Sequence, residues 1–170
     1  MFTRNELINL FKDNNQKQPK AKYSNNIIIG MLENLPSEFV AIVEPTRSGF
    51  AVNRGSLVEC IIKAVVYNDY NAQKSSCKVA DLDTTSLNAQ QLALVNDVVS
   101  SNIEIKFTTS FAPATRKTSK ARKTILVGES GIYMIDSKNL ISTKSGKINL
   151  NNQMAKDLTR LDKLMDLLGY

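Results

Sequence analysis

Asn102-Ile103-Glu104-Ile105-Lys106-Phe107 sets a carboxylate and an ammonium two residues apart inside an apolar, β-branched run. Strand side chains alternate between faces, so Glu104 and Lys106 project together while Ile103, Ile105 and Phe107 pack on the other side. A hydrophobic core has no use for that pair. An acid and a lysine adjacent on one strand face suit metal-assisted phosphodiester cleavage: the carboxylate holds a divalent cation, and the lysine orients or activates the attacking water.

The segment before this strand, Asp97-Val98-Val99 followed by Ser100-Ser101, reads as the first arm of a hairpin with a two-residue turn, although Ser-Ser lacks the Gly or Asn that such turns favour. In that register Val99 opposes Asn102 and Asp97 lies across from Glu104, where two carboxylates repel unless a cation joins them. Further upstream, 77–82 is a short strand. Thr85 or Ser86 caps a helix carrying Leu87, Leu92 and Val95, with Val98 at its uncertain end. After Phe107 the chain turns polar and basic through 108–123. It then forms its clearest hairpin, 124–127 against 132–135, around Gly128-Glu129-Ser130-Gly131.

Toward the N-terminus, the strongest helix runs over 54–68. Leu57, Val58, Cys60, Ile61, Ile62, Ala64, Val65 and Val66 cover most of its circumference, leaving Glu59 and Lys63 in a narrow gap. Glu59, at the margin of that apolar surface, reads either as a functional carboxylate or as an edge residue paired with Lys63 at i+4. Thr3 and Glu6 make a capping box for a first short helix, and 14–22 is a polar connection. Ser24 caps a second helix that Pro36 stops. The run 39–43 is ambiguous between strand and helix. At the other end, 150–168 reads as a helix with Met154, Leu158, Leu161, Met165 and Leu168 on one stripe, a cover for the sheet or a dimer surface.

Of the 170 residues, 22 are Lys or Arg and 16 Asp or Glu, a net charge of +6. The excess is local: Arg116, Lys117, Lys120, Arg122 and Lys123 fall within eight positions, in a stretch without an acid, which favours phosphate contact over general surface charge. With no histidine in the chain, Ser-His-Asp and Cys-His catalysis and His-liganded zinc are excluded. Cys60 and Cys77 lack metal-site spacing and read as reduced thiols of a cytoplasmic protein. The N-terminal residues lack an apolar signal core, and no apolar run is long enough to span a bilayer, so no membrane association is expected.

The order of a helix with an internal Glu, acid-bearing strands, a Glu-x-Lys strand, a basic loop, further strands and a closing helix resembles the PD-(D/E)xK, or restriction-endonuclease-like, nuclease superfamily. The resemblance covers 54–136. It implies a mixed α/β (α+β) fold, a mixed central sheet flanked by helices, within one domain of 170 residues whose accessory N-terminal helices occupy 1–36 and whose covering helix occupies 150–168. In that family a helix carboxylate, a second-strand Asp and a Glu-x-Lys converge on magnesium. Glu59, with Arg54-Gly55 before it, matches the helix motif, and Glu104 and Lys106 match the third-strand motif. Asp97 is the first choice for the second-strand ligand. Asp81 or Asp83 replaces it if 86–100 is an inserted helix and 78–83 the preceding strand. No Pro-Asp dipeptide marks either place.

What the resemblance implies is hydrolysis of DNA by a Mg²⁺-dependent endonuclease, with Mn²⁺ as an alternative cation. Asp97, Glu104 and Glu59 are the metal ligands, and Lys106 positions the water. Arg116, Lys117, Lys120, Arg122 and Lys123 bind backbone phosphates. Restriction-type and resolvase-type activities both fit, and double-strand cutting implies a homodimer. Asp136-Ser137-Lys138 repeats the acid-x-Lys pattern but sits at a strand end and reads as a turn. The competing function is a noncatalytic nucleic-acid-binding protein that uses the basic loop alone; a third is an interaction protein whose terminal helices dock a partner.

Overall fold

The computed structural model describes residues 1–71, 73–74, 81–108, 123–139 and 158–170. It is a mixed α+β structure with five helices among the described residues, and its contacts divide it into two compact units: Met1–Ser75 with Asp166–Tyr170, and Ser76–Met165. The 54–136 stretch spans both units. No described helix is long and apolar enough to cross a membrane.

In the first unit, β1 (Phe2–Thr3) leads into α1 (Arg4–Lys17), where the Thr3 side chain accepts the Glu6 backbone N–H at 3.2 Å. The Thr3 hydroxyl donates to Glu6 Oε1 at 3.0 Å, so the cap rests on the Thr–Glu pair that the sequence marks. α1 runs further than expected because Asn14, read as part of a polar connection, is buried within it. A 3₁₀ turn, Pro19–Ala21, starts α2 (Lys22–Glu33) two residues before Ser24, and α2 has no side-chain cap. The 39–43 run resolves as β2 (Val40–Ile42), antiparallel to β1 with Phe2 opposite Ala41.

β2 also pairs in parallel with β3 (Gln73–Lys74), and α3 (Arg54–Tyr67) is the crossover between them, as a parallel pair requires. Asn53 caps α3 by accepting Ser56 N–H at 3.0 Å; Asn68 closes it in the left-handed region, φ 52°. All eight apolar residues expected to wrap α3 are buried, and each of the Leu, Ile and Val side chains among them contributes on the order of 1.5–3 kcal/mol to folding.

The second unit is built on a four-stranded sheet in the order β4 (Ile103–Phe107), β5 (Lys123–Val127), β6 (Ile132–Asp136), β7 (Thr159–Arg160). β4 and β5 are parallel in register Glu104↔Thr124 and Lys106↔Leu126. β5 and β6 form the expected antiparallel hairpin, with Val127 opposite Ile132. Gly128 must be glycine: a Cβ there would lie 2.8 Å from the Thr108 carbonyl oxygen, where the end of β4 runs against β5.

Two expectations are corrected here. Thr159 and Arg160 are not helical but pair with Met134 and Tyr133, and among the described residues of this stretch the helix, α5, is confined to Asp162–Leu167. The apolar stripe there serves both elements, since Leu161, Leu164 and Met165 are all buried; residues 150–157 of the expected helix lie outside the described residues. The hairpin of 97–99 with 102–104 does not form. α4 (Ala89–Leu94), capped by Asn88 and Gln91 rather than by Thr85 or Ser86, is followed by Asn96 and Asp97, both left-handed at φ 58°. Asn and Asp tolerate that conformation, and a strand arm cannot pass through it. Thr84 closes the base of this excursion: its hydroxyl donates to the Val98 carbonyl at 2.8 Å and accepts Ser100 N–H at 2.8 Å. The segment that bridges antiparallel to the start of β4 is instead that of Leu82, at Ile103.

Candidate active site

β4 presents its charges as the alternation demands. Ile103 and Ile105 are buried, and on the opposite face Lys106 Nζ lies 2.7 Å from Glu104 Oε1. The Glu104 side chain keeps 19 % of its exposure and Lys106 37 %, so the carboxylate is the more enclosed of the two while the pair stays open to solvent. Along the register their neighbours on β5 are Thr124 and Leu126, both buried, and the Thr124 hydroxyl is bonded to that of Ser137 at 2.7 Å. The pair thus stands at the border of a closely packed sheet face, where the surrounding apolar surface strengthens charge interactions relative to bulk water.

Asp81 is the acid held against the backbone of the Glu-x-Lys triplet. Asp81 N–H donates to Ile103 O at 3.1 Å, and its carboxylate Oδ2 accepts Ile105 N–H at 2.9 Å. That amide belongs to the peptide bond joining Glu104 to Ile105. Asp81 is therefore fixed against the backbone of the Glu-x-Lys triplet itself, while the first-choice residue, Asp97, sits in the left-handed turn after α4 and has no place in the ladder opposite Glu104. Asp83 is exposed and accepts both the Thr85 N–H, at 3.0 Å, and the Thr85 hydroxyl, at 2.7 Å; these bonds hold its carboxyl below the usual carboxylate range.

The sequence carries a signal for Asp81 over Asp97. Asp81 lies between Ala80 and Leu82, inside an apolar run, whereas Asp97 follows Asn96, its partner in tolerating left-handed backbone. Glu59 lies on α3 in the first unit and is half-buried. Of the basic cluster, Arg116, Lys117, Lys120 and Arg122 lie outside the described residues. Lys123 is the first residue of β5, with Nζ 2.6 Å from Asp136 Oδ1, so the charge expected to bind phosphate is already neutralised by a neighbouring strand. Asp136 thus has a structural role at the end of β6, where Ser137–Asn139 turn, as the sequence suggests.

Among the described residues, no group of three or more His, Cys, Asp or Glu side chains is placed to hold one metal ion. Magnesium does not require one: it commonly takes one or two carboxylates and completes its shell with water and substrate phosphate oxygens. Two hard oxygen donors tied to one peptide unit, Asp81 and Glu104, suit that demand in chemical type. Compared with models of known protein families, with curated proteins and with solved structures, the chain matches none.

Proposed function

We propose that this protein is a metal-dependent deoxyribonuclease of the PD-(D/E)xK kind, with Asp81 and Glu104 as metal-binding acids and Lys106 as the residue that orients the attacking water. The observation that carries this reading is the Asp81 carboxylate bonded to the Ile105 amide beside the Glu104–Lys106 pair. The local topology supports it as well: Leu82 runs antiparallel to the start of β4, and β4 then connects to a parallel neighbour.

When bound, Mg²⁺ or Mn²⁺ would supply Lewis acidity, lowering the pKa of the attacking water and offsetting charge on the scissile phosphate. Glu104 and Asp81 would hold that cation, and Asp81 is prepositioned for it by its bond to the strand amide. Lys106 exchanges its carboxylate partner for the water and for the charge that develops on the phosphate oxygens. The basic stretch 116–122 contributes affinity for the DNA backbone without reading bases. Double-strand cutting with one such site per chain requires two copies of the protein.

The direct ion pair of Glu104 with Lys106 and the lack of a three-carboxylate group among the described residues favour one other reading, a noncatalytic DNA-binding protein whose strand charges satisfy each other. Substitution separates the two. A nuclease loses Mg²⁺-dependent cleavage in Lys106→Ala while its DNA affinity in EDTA is kept; a binding protein shows no cleavage in any form, keeps its affinity in Lys106→Ala and loses it when Lys120 and Arg122 are neutralised.

A further inference from the structure

The first unit holds a cation that the proposed chemistry does not use. Arg54, the first residue of α3, donates through Nε to Asn25 Oδ1 at 2.7 Å and through Nη2 to Asn14 Oδ1 at 2.9 Å. Both asparagines are buried, and they are fixed in turn: Asn25 Nδ2 donates to Asn14 Oδ1 and to Asn15 Oδ1, each at 2.9 Å. The guanidinium lies over the Phe50 ring at 4.6 Å from its centroid and 5.8 Å from that of Phe11. Two amides and two rings thus set the plane of this group, and every one of those partners is neutral.

Among the described residues no carboxylate pairs with Arg54, and Nη1 donates to no protein acceptor. Burial lowers its pKa from the ordinary arginine value, so the site carries a cost for holding the charge. Its position adds to that cost, since a cation at a helix N-terminus faces the positive end of the helix dipole, and the first turn of α3 has no acid to compensate. The two ring faces attract the cation, but no full negative charge does, and the Nη1 side of the oriented guanidinium, which has no acceptor among the described residues, is the edge an oxyanion would take.

We infer that Arg54, braced by Asn14 and Asn25 and stacked on Phe11 and Phe50, is a phosphate-binding site for the DNA backbone. The DNA assignment rests on the nuclease reading; the anion site does not. The direct test follows the Arg54 guanidinium NMR resonances, Nη–H together with Nε–Hε, of the full-length wild-type protein in EDTA, titrated with inorganic phosphate, with chloride at matched ionic strength and with a short DNA duplex. A saturable shift with phosphate and with duplex, but not with chloride, is expected. Arg54→Gln should weaken duplex binding roughly tenfold or more and lower the salt slope of log K by about 0.9, the value of one phosphate contact.

Guanidinium resonances indifferent to both phosphate and duplex overturn the inference even if the protein cleaves DNA, and the wild-type measurement stands if the variant fails to fold. A shift with phosphate alone overturns the DNA assignment and leaves a small-phosphate site. A shift with both in a protein that cleaves nothing supports the phosphate site while removing the nuclease reading.

Discussion

Asp81 and Asp97 carry the same carboxyl group in opposite surroundings, and the account stands on that difference. Asp81 is bonded to the amide that follows Glu104, while Asp97 turns away in left-handed backbone. Asp81→Asn keeps an acceptor for the Ile105 N–H but removes the charge, so Mg²⁺-dependent cleavage is expected to fall at least about a hundredfold; Asp97→Asn should retain activity within a few-fold. Equal losses in plasmid-nicking rates would remove the reason for preferring Asp81. A second residue-scale prediction concerns Cys60. Burial, with a smaller contribution from Glu59 and against the pull of Lys63, pushes its thiol up from 9.0 to about 12. Above pH 9 the unfolded chain loses that proton and the folded chain keeps it, so stability falls as pH rises from 9 toward 12. Urea midpoints taken at about pH 8 and about pH 10.5 should drop less in Cys60→Ala than in the wild type; parallel drops would contradict the assignment.

At the scale of elements, α3 and the β5–β6 hairpin were legible from sequence because each is specified locally. α3 has a near-continuous apolar wrap with Asn53 before it and Asn68 after it, and the hairpin has two apolar arms around a glycine-bounded turn. Ile61→Ala is accordingly expected to cost about 2–5 kcal/mol, from lost burial and the cavity left behind, and Asn53→Ala about 1 kcal/mol, both measured by chemical denaturation. The misread elements depend on distant partners. α1 continues through polar Asn14 because Asn25 and Arg54 satisfy it from elsewhere, and Thr159–Arg160 is extended because the edge of β6 is there to pair with. Likewise the hairpin before β4 gives way to a Thr84 clamp that joins residues 14 and 16 positions apart, a closure that no local pattern announces. The Glu104–Lys106 pair itself was legible, since strand alternation alone puts both on one face; its acidic neighbour was not, because choosing between Asp81 and Asp97 required the ladder. Lys123 shows the same limit: its sequence neighbours are basic, but its partner is Asp136 across the hairpin, so Lys123→Ala should leave DNA affinity in EDTA nearly unchanged by fluorescence anisotropy.

For the whole molecule, the +6 charge favours a polyanionic partner, and the absence of histidine restricts chemistry to carboxylates, lysine, tyrosine and hydroxyls. Within those limits the account assigns cleavage to Asp81, Glu104 and Lys106 and phosphate affinity to Arg54 with the 116–122 stretch. These are separable functions, so removing metal should stop the first and spare the second. The most direct measurement is conversion of supercoiled plasmid and of branched DNA by the purified protein in Mg²⁺ and in EDTA, with Glu104→Ala and Lys106→Ala alongside and binding to the same DNA recorded in EDTA. The account predicts cleavage by the wild type in Mg²⁺ alone, its loss in both variants, and DNA affinity preserved throughout. DNA that remains intact with every form of the protein in Mg²⁺ and in Mn²⁺, or cleavage that persists in Lys106→Ala and Glu104→Ala, would contradict it.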